Sequence, residues 1–298
     1  MSLIAILISL ILERSFHSFQ KYRQFTWFDS LTDRIKKGCD ERQWQGPVVI
    51  LLVLAGPLLA VIIINALFDG LLLGFLSLIF STAVLFLCFG PQDLDKQVEA
   101  FLTAWDNEDE EAAREAAKEL LGETAPESLD ELQQQLMQKT LVAASERILS
   151  PIIWFTTFAM LGSGPLGAVL YRLSCHLHQR AKGKTDAFAV SVNRLYAILG
   201  WVPAHIVALL FAMAGSFVDT IHLWRERSET WRDDWQQAAT MVVLTAGLGA
   251  LQLASMGEDK VSHEEIPQHL RAAIGMILRS TVILVVLIAV ITLTLFRG

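Results

Sequence analysis

An apolar stretch that carries its own helix breakers constrains this chain more than any other feature. Residues 151–170 are uncharged and apolar enough to lie in a bilayer, yet Gly162-Ser163-Gly164-Pro165 stands at their centre. Proline removes a backbone donor, and backbone groups freed at membrane depth must be satisfied by neighbouring protein or by a water-filled cavity. The stretch is therefore expected to pack inside a helical bundle, either as a break that borders a pocket or as a simple kink.

The rest of the chain is also apolar in blocks. Of its 298 residues 53% are hydrophobic, and the mean hydropathy is +0.44. A membrane-spanning helix needs about 20 apolar residues to cross a hydrocarbon core of ~30 Å. The sequence therefore predicts an all-α, polytopic helical membrane protein with about five membrane segments, some broken or re-entrant. The five blocks are residues 48–68, 71–89, 151–170, 195–218 and 280–296.

The first ninety residues divide into three predicted parts. Residues 1–12 are apolar but too short to span a bilayer, and they lack the features of a cleaved signal peptide, so they predict a half-inserted helix. Residues 13–45 carry seven Lys and Arg among several aromatics, which is typical of a cytoplasmic, basic interfacial region. Residues 48–68 and 71–89 are separated by two residues and predict a tight membrane hairpin.

An acidic cytoplasmic insert follows the hairpin. Residues 92–149 hold 15 Asp and Glu against 5 Lys and Arg, a net charge of −10, which leaves +3 for the rest of a chain with −7 overall. Apolar residues at helical spacing predict three amphipathic helices. The first two meet near Asp106, the second ends at Gly122, and the third starts at a Ser-Leu-Asp-Glu capping box at residues 128–131 and runs on toward Pro151.

The charge distribution narrows the choice of partners. Nucleic acid is excluded, because no concentrated basic stripe exists to neutralise phosphates. The acidic run at residues 108–111 favours a solvated helix face, with a cation site or a docking surface as the alternatives, because the ligand spacing of a calcium loop is missing.

The positive-inside rule conflicts with two simple spans in the middle of the chain. Residues 171–194 carry five Lys and Arg against one Asp, and they would face outward if residues 151–170 and 195–218 each crossed once. We therefore expect that at least one of these segments is broken, at the Gly-Ser-Gly-Pro sequence or at Pro203.

The remaining quarter of the chain contains a second polar region and a final apolar segment. Three tryptophans near its start suggest an interfacial helix, and residues 240–256 favour a helix packed on the bundle over a weak sixth segment. The predicted organisation is a half-inserted helix and basic interfacial region (1–46), a membrane hairpin (47–90), an acidic helical domain (91–149), broken membrane segments with a basic loop (150–218), a polar region with a packed helix (219–277) and a C-terminal membrane helix (278–298).

Sequence motifs for known chemistry are missing. No phosphate loop, zinc motif or Ser-His-Asp order is present. Cys175-His176-Leu177-His178 has a metal-like composition, but residues two apart on a helix point in different directions, so two surface histidines are favoured over a metal. Neither a catalytic residue nor a metal site nor a cofactor is predicted.

Ionisable residues at segment boundaries are the strongest candidates for binding. Charge at membrane depth is costly unless it is paired or faces water, so these side chains are expected to converge on one another or on an anionic ligand, with snorkelling to headgroups as the alternative. His205 lies within an apolar block, where its ring needs a hydrogen-bond partner. The predicted ligand-binding residues are Glu13, Arg14, Glu146, Arg147, Arg172, Arg194 and His205.

Three stretches carry a family resemblance. They are VEAFLTAWDNEDEEAAREAAKELLGE, ERILSPIIWFTTFAMLGSGPLGAVLYR and NRLYAILGWVPAHIVALLFAMAG, which start at Val98, Glu146 and Asn193. With the tight membrane hairpin before them, they resemble the AmpE family within the wider CobD/CbiB superfamily. The resemblance covers nearly the whole chain, and its most specific pieces are residues 151–172 and 193–205.

The resemblance implies a multi-pass protein of the bacterial inner membrane. The implied role is regulatory, in β-lactamase induction and hence antibiotic resistance, and in cell-wall recycling alongside the amidase AmpD. From the residues themselves we expect membrane lipids as partners, an anionic small molecule or lipid headgroup near the arginines, and acidic helices that report its occupancy to a soluble cytoplasmic partner. The oligomeric state is left open.

The same resemblance supplies an enzymatic alternative. CobD/CbiB enzymes are ATP-dependent, amide-forming synthases that make cobinamide, and a relative of them would use Mg-ATP held by carboxylates such as Glu13 and Glu146. This chain departs from their pattern, because Leu-Ser-Cys-His follows Tyr171-Arg172 where that family has Asn-Thr-Leu-Asp. The main prediction is therefore a regulator, with a synthase-derived enzyme and a plain structural adaptor as alternatives.

Overall fold

The structure is a computed structural model that describes residues 2–15, 25–40, 46–68, 74–90, 94–122, 125–228, 235–253 and 265–295. In these ranges every regular element is a helix, which confirms the all-α prediction. The helices are α1 (Ser2–Ser15), α2 (Thr26–Asp40), α3 (Gly46–Phe68), α4 (Phe75–Cys88), α5 (Leu94–Asp106), α6 (Glu110–Leu121), α7 (Leu129–Ala144), α8 (Ser150–Ala159), α9 (Gly164–Ala181), α10 (Ala187–Ala214), α11 (Phe217–Arg227), α12 (Trp235–Ala250) and α13 (Glu265–Leu295).

The chain forms two compact units. Unit 1 comprises Met1–Pro91, Arg147–Pro203 and Ile288–Gly298. Unit 2 comprises Gln92–Glu146 and Ala204–Leu287. The acidic insert thus belongs to a unit that also contains α11, α12 and most of α13.

Three described helices are long and apolar enough to cross a membrane. They are Gly46–Phe68, Ala187–Ala214 and the Glu265–Thr294 part of α13. Shorter apolar helices cover Ser2–Glu13, Phe75–Cys88 and Gln237–Ala250. The chain is therefore a helical membrane protein, and its described residues contain fewer full-length apolar helices than the five predicted blocks. One reason is that α4 has 14 residues, or about 21 Å of helix, although residues 71–73 of that block lie outside the described residues.

The predicted break in residues 151–170 is present. Helix α8 ends at Ala159, a turn follows, and α9 starts at Gly164. Gly162 adopts a φ of +90°, a left-handed backbone that glycine accepts without a steric penalty. The Asn65 side chain donates to the Gly162 carbonyl oxygen at 3.4 Å, so α3 satisfies one of the freed backbone groups. In contrast, α10 runs through Pro203 without interruption.

A small residue lets α8 and α9 pack closely. A Cβ atom at Gly167 would lie 2.4 Å from the Trp154 carbonyl oxygen and 2.7 Å from the Phe158 ring. A side chain does not fit there, because the α9 backbone at Gly167 lies against both the α8 backbone and the Phe158 ring. Within unit 1, α9 also packs against α3 and α4, and α4 packs against α1.

The acidic insert begins with three helices whose ends follow from their sequence. The Asp109 side chain accepts a hydrogen bond from the Ala112 N–H at 3.0 Å and caps α6, and Gly122 ends this helix in the left-handed conformation. Helix α7 starts after Ser128 as predicted, but the Ser128 side chain makes no capping hydrogen bond. The capping-box motif therefore predicted the start of α7 correctly, but the Ser128 hydrogen bond that it implies is not made. One π-helical turn, Ser145–Leu149, connects α7 to α8.

Candidate functional site

A ladder of charged side chains joins α9 to α2 in unit 1. Arg172, His176 and Arg180 are spaced four residues apart, which places them on one face of α9. That face meets α2 and the residue before it, Phe25, and we call this contact the α2–α9 seam. Within the described residues, the two outer rungs have carboxylate partners and the inner rung has none.

The outer rungs share two aspartates of α2. Arg180 Nη2 lies 2.9 Å from Asp33 Oδ1, and Arg180 Nη1 lies 3.2 Å from Asp29 Oδ1. His176 Nε2 lies 2.7 Å from the same Asp29 oxygen, and the His176 ring also contacts the edge of Phe28. Both rungs fasten the start of α2 to the C-terminal half of α9.

A lysine and an aspartate extend this polar surface. Lys36 on α2 donates to Asp186 at 2.8 Å, and its ammonium lies 4.6 Å from the Phe188 ring centre. The hydrogen bond from Lys36 is the main reason that the pKa of Asp186 is lowered from its ordinary value of 3.8. Asp186 also accepts from the Ala189 N–H at 3.2 Å and so caps α10.

The inner rung, Arg172, is buried and pairs with no carboxylate of the described residues. Its exposed fraction is 3%, and its Nε–H donates to no acceptor in the described part of the chain. The contact found for its charge is the ring of Phe25, whose centre lies 6.0 Å from the guanidinium carbon. A cation–π contact at this distance offsets little of the several kcal/mol that burying an ion costs.

Phe25 is held in an unusual backbone conformation next to Arg172. Its φ is +49°, a region that residues with large side chains rarely occupy. Its carbonyl oxygen accepts from the Phe28 N–H at 2.8 Å, so it forms the first turn at the start of α2. A helix start carries partial positive charge. The buried guanidinium and this helix start together favour an anion.

The two histidines of the Cys-His-Leu-His sequence point to different partners. His176 bonds to Asp29, while the His178 ring stacks on Tyr196 at 4.0 Å and lies 2.9 Å from Asn193 Oδ1. Among the described residues, no three His, Cys, Asp or Glu side chains lie close enough to hold one metal ion.

The predicted ligand-binding residues of unit 1 differ in environment. Arg172 is buried, whereas Arg194 is exposed on α10. Arg147 lies against Gly90, whose N–H donates to the Arg147 carbonyl oxygen at 3.3 Å, and Glu13 is partly exposed near the end of α1. The Arg14 side chain lies outside the described residues.

The other two predicted residues belong to unit 2. Glu146 is partly exposed in the π-helical turn. His205 meets the edge of the Trp224 ring, with the ring centres 5.9 Å apart. The convergence of all seven predicted residues on one ligand stays a prediction.

The sequence reasoning missed Phe25, Asp29 and Asp33 as partners of α9. A signal was present, because the two aspartates are spaced four residues apart like the basic residues that they meet. Arg180 and Asp33 are nevertheless 147 residues apart in the chain, and no local rule pairs helices at that distance.

Comparisons with known proteins cover nearly the whole chain and not only the α2–α9 seam. The family model described as "Regulatory signalling modulator protein AmpE" matches residues 1–296. The chain is also 27% identical over 256 residues to a cobalamin biosynthesis protein CobD of Stutzerimonas stutzeri (strain A1501). This match covers 83% of this chain and 79% of that relative. A second protein of this name, from Chromobacterium violaceum, is 27% identical over 187 residues, or 61% of this chain and 57% of the relative. No solved structure matches.

Proposed function

Since the chain belongs to the AmpE family of regulatory signalling modulators, we propose that it is an inner-membrane regulator of β-lactamase induction and cell-wall recycling that binds an anionic ligand at Arg172. The observation that supports the ligand is the burial of an arginine whose Nε–H has no acceptor among the described residues. A membrane protein that only needed a stable core would gain from an apolar residue at this position.

The chemistry at Arg172 defines the class of ligand. A guanidinium donates to planar or tetrahedral oxyanions, and carboxylates and phosphates are its usual partners. The nearby start of α2 favours the same sign of charge. The ligand is therefore a phosphate or carboxylate group, carried either by a lipid headgroup or by a free small molecule.

Thermal unfolding of the full chain in nanodiscs tests this ligand class. We expect the melting temperature to rise either with phosphatidylglycerol in a phosphatidylcholine disc or with inorganic phosphate added to a pure phosphatidylcholine disc, and the two arms separate lipid from free anion. The variant Arg172→Met should lose the increase, while Lys182→Gln, which removes an exposed cation of the same unit, should keep it. An equal response of Arg172→Met and the unchanged protein would contradict the anion site.

The regulatory part of the proposal is tested in cells. The bound anion would alter how unit 2 meets a soluble partner, with the AmpD pathway as the expected link. We expect Arg172→Met to change the level of β-lactamase induction when it replaces the chromosomal protein at equal abundance in the membrane, while Lys182→Gln does not. Unchanged induction by Arg172→Met would remove the link between the anion and the signal.

The relatives named as cobalamin biosynthesis proteins support a second candidate, a synthase-derived membrane enzyme that forms an amide with ATP. Turnover of Mg-ATP with cobyric acid and an aminopropanol or its phosphate tests it directly. Product formation that depends on Glu13 or Glu146 would favour this enzyme over the regulator.

A further inference from the structure

A groove in unit 2 combines aromatic side chains with carboxylates. Helices α5 and α6 and the start of α7 enclose about 90 Å³, a space that we call the insert groove. Phe101, Trp105, Ala113 and Ala117 form its floor, with the two ring centres 5.2 Å apart. Phe101 and both alanines are buried, whereas Trp105 is partly exposed. The tryptophan therefore supplies the accessible aromatic surface of the insert groove.

Carboxylates dominate the rim of the insert groove. Glu108, Asp109, Glu110 and Glu127 line it together with one basic residue, Arg114, and all five are exposed. The rim has the same sign of charge as residues 92–149 as a whole. Such a rim attracts cationic groups and disfavours anionic ones.

The volume of the insert groove limits what can fill it. The insert groove measures about 90 Å³. Pockets for free small molecules usually measure about 300–1,000 Å³. The space therefore fits the end of one side chain rather than a free metabolite.

We propose that the insert groove docks a soluble partner protein by taking one of its Lys or Arg side chains over the Trp105 ring. A cation gains from the face of an indole, and the rim carboxylates accept its hydrogen bonds. The proposal goes beyond the anion site, because it names the contact surface and the chemistry of the partner. All residues that line the insert groove belong to unit 2, so this proposal is tested independently of the anion site at Arg172.

Glu108, between α5 and α6, allows one rim charge to be removed without a change in the backbone of the turn. Glu108 has a φ of +57°, and its N–H donates to the Trp105 carbonyl oxygen at 3.0 Å. Asparagine accepts this left-handed backbone better than most residues, so Glu108→Asn removes the charge without straining the turn. Asp109 caps α6 and is left unchanged.

The test measures binding of a basic peptide to the full chain in phosphatidylcholine nanodiscs. The probe is a fluorescein-labelled 12-residue peptide of alternating Arg and Ala, compared with a peptide that has Glu in place of Arg, with empty nanodiscs as the blank. The variant that combines Glu108→Asn, Glu110→Gln and Glu127→Gln should weaken binding of the Arg peptide about tenfold, since three exposed ion pairs contribute roughly 0.5 kcal/mol each. The control variant combines Glu99→Gln, Glu115→Gln and Glu119→Gln, which removes the same charge outside the groove lining and should change the Kd less than about twofold.

A third variant separates the aromatic contact from general acidity. Trp105→Leu should weaken the Arg peptide about threefold while leaving the helical content by circular dichroism unchanged. Equal weakening by the two triple variants, or full binding to Trp105→Leu, would overturn the proposal. Sedimentation that shows the groove triple variant disrupting a dimer, with no binding of the Arg peptide, would assign the groove to a second copy of this chain and would also overturn it.

Discussion

The guanidinium carbon of Arg172 lies 6.0 Å from the centre of the Phe25 ring, with 3% of the arginine exposed. On the same face of α9, one and two turns further on, His176 and Arg180 meet the carboxylates of Asp29 and Asp33. The carboxylates of the seam therefore serve its outer two basic residues. Replacement of arginine by methionine should therefore change stability differently at Arg172 and at Arg180.

Replacing Arg172 by methionine should stabilise the ligand-free protein. Exchange of a buried, uncompensated ion for an apolar side chain of similar length gains about 1–4 kcal/mol of unfolding free energy. The matched change Arg180→Met should instead destabilise by about 0.5 kcal/mol, because Arg180 is about one third exposed and its ion pairs are screened. Denaturant unfolding in one detergent measures both, and a loss of stability in Arg172→Met would show that its charge is compensated.

Removing the shared aspartate should loosen α2. Asp29→Asn takes the carboxylate from both His176 and Arg180, so we expect about 1 kcal/mol less protection of the α2 amides, or roughly fivefold faster hydrogen exchange. Asp33→Asn should act less strongly, because the Asp33 side chain is 64% exposed and has Arg180 as its partner. Hydrogen exchange with mass spectrometry over residues 26–40 checks the order of the two effects, and equal exchange in both variants would contradict the shared role of Asp29.

Adding one methyl group between α8 and α9 should be costly. In Gly167→Ala the new Cβ would lie 2.4 Å from the Trp154 carbonyl oxygen, so the helices must separate, at a cost of about 1–3 kcal/mol. Gly56→Ala in α3 is the matched control, since nothing lies within 4 Å of its Cβ position, and there alanine should stabilise by about 0.5 kcal/mol. Melting temperatures of the two variants should move in opposite directions, and a neutral Gly167→Ala would refute the close packing.

The ion pair between Lys36 and Asp186 should contribute stability that disappears in acid. Because the hydrogen bond from Lys36 lowers the pKa of Asp186, the folded state binds its proton less readily than the unfolded state. The contribution is complete above the ordinary value of 3.8 and is lost as the pH falls through the lower folded value. In Asp186→Asn, which keeps an acceptor for the cap of α10, the stability difference from the unchanged protein should therefore shrink below a pH of about 4. A difference that stays constant from pH 7 to pH 3 would assign the effect to the cap alone.

Local rules predicted most of the helices and their ends. Gly122 ends α6 because glycine accepts the left-handed conformation of the cap. The Gly-Ser-Gly-Pro sequence interrupts residues 151–170 because glycine and proline are both unfavourable inside a helix. Pro203 was the wrong candidate for a break, since α10 continues through it. Apolar composition predicted a membrane protein, but α4 shows that an apolar block and the helix inside it can differ in length.

The sequence by itself determined the class of this protein: apolar blocks of membrane length require helices, and a chain with 15 acidic residues in one insert keeps that insert in water. Only the tertiary structure decided which charges have partners. Arg172 and Arg194 look equivalent in the sequence, yet one is buried against Phe25 and the other is exposed. The physical reason is that burial and ion pairing depend on contacts between helices that are far apart in the chain, and local sequence periodicity does not predict those contacts.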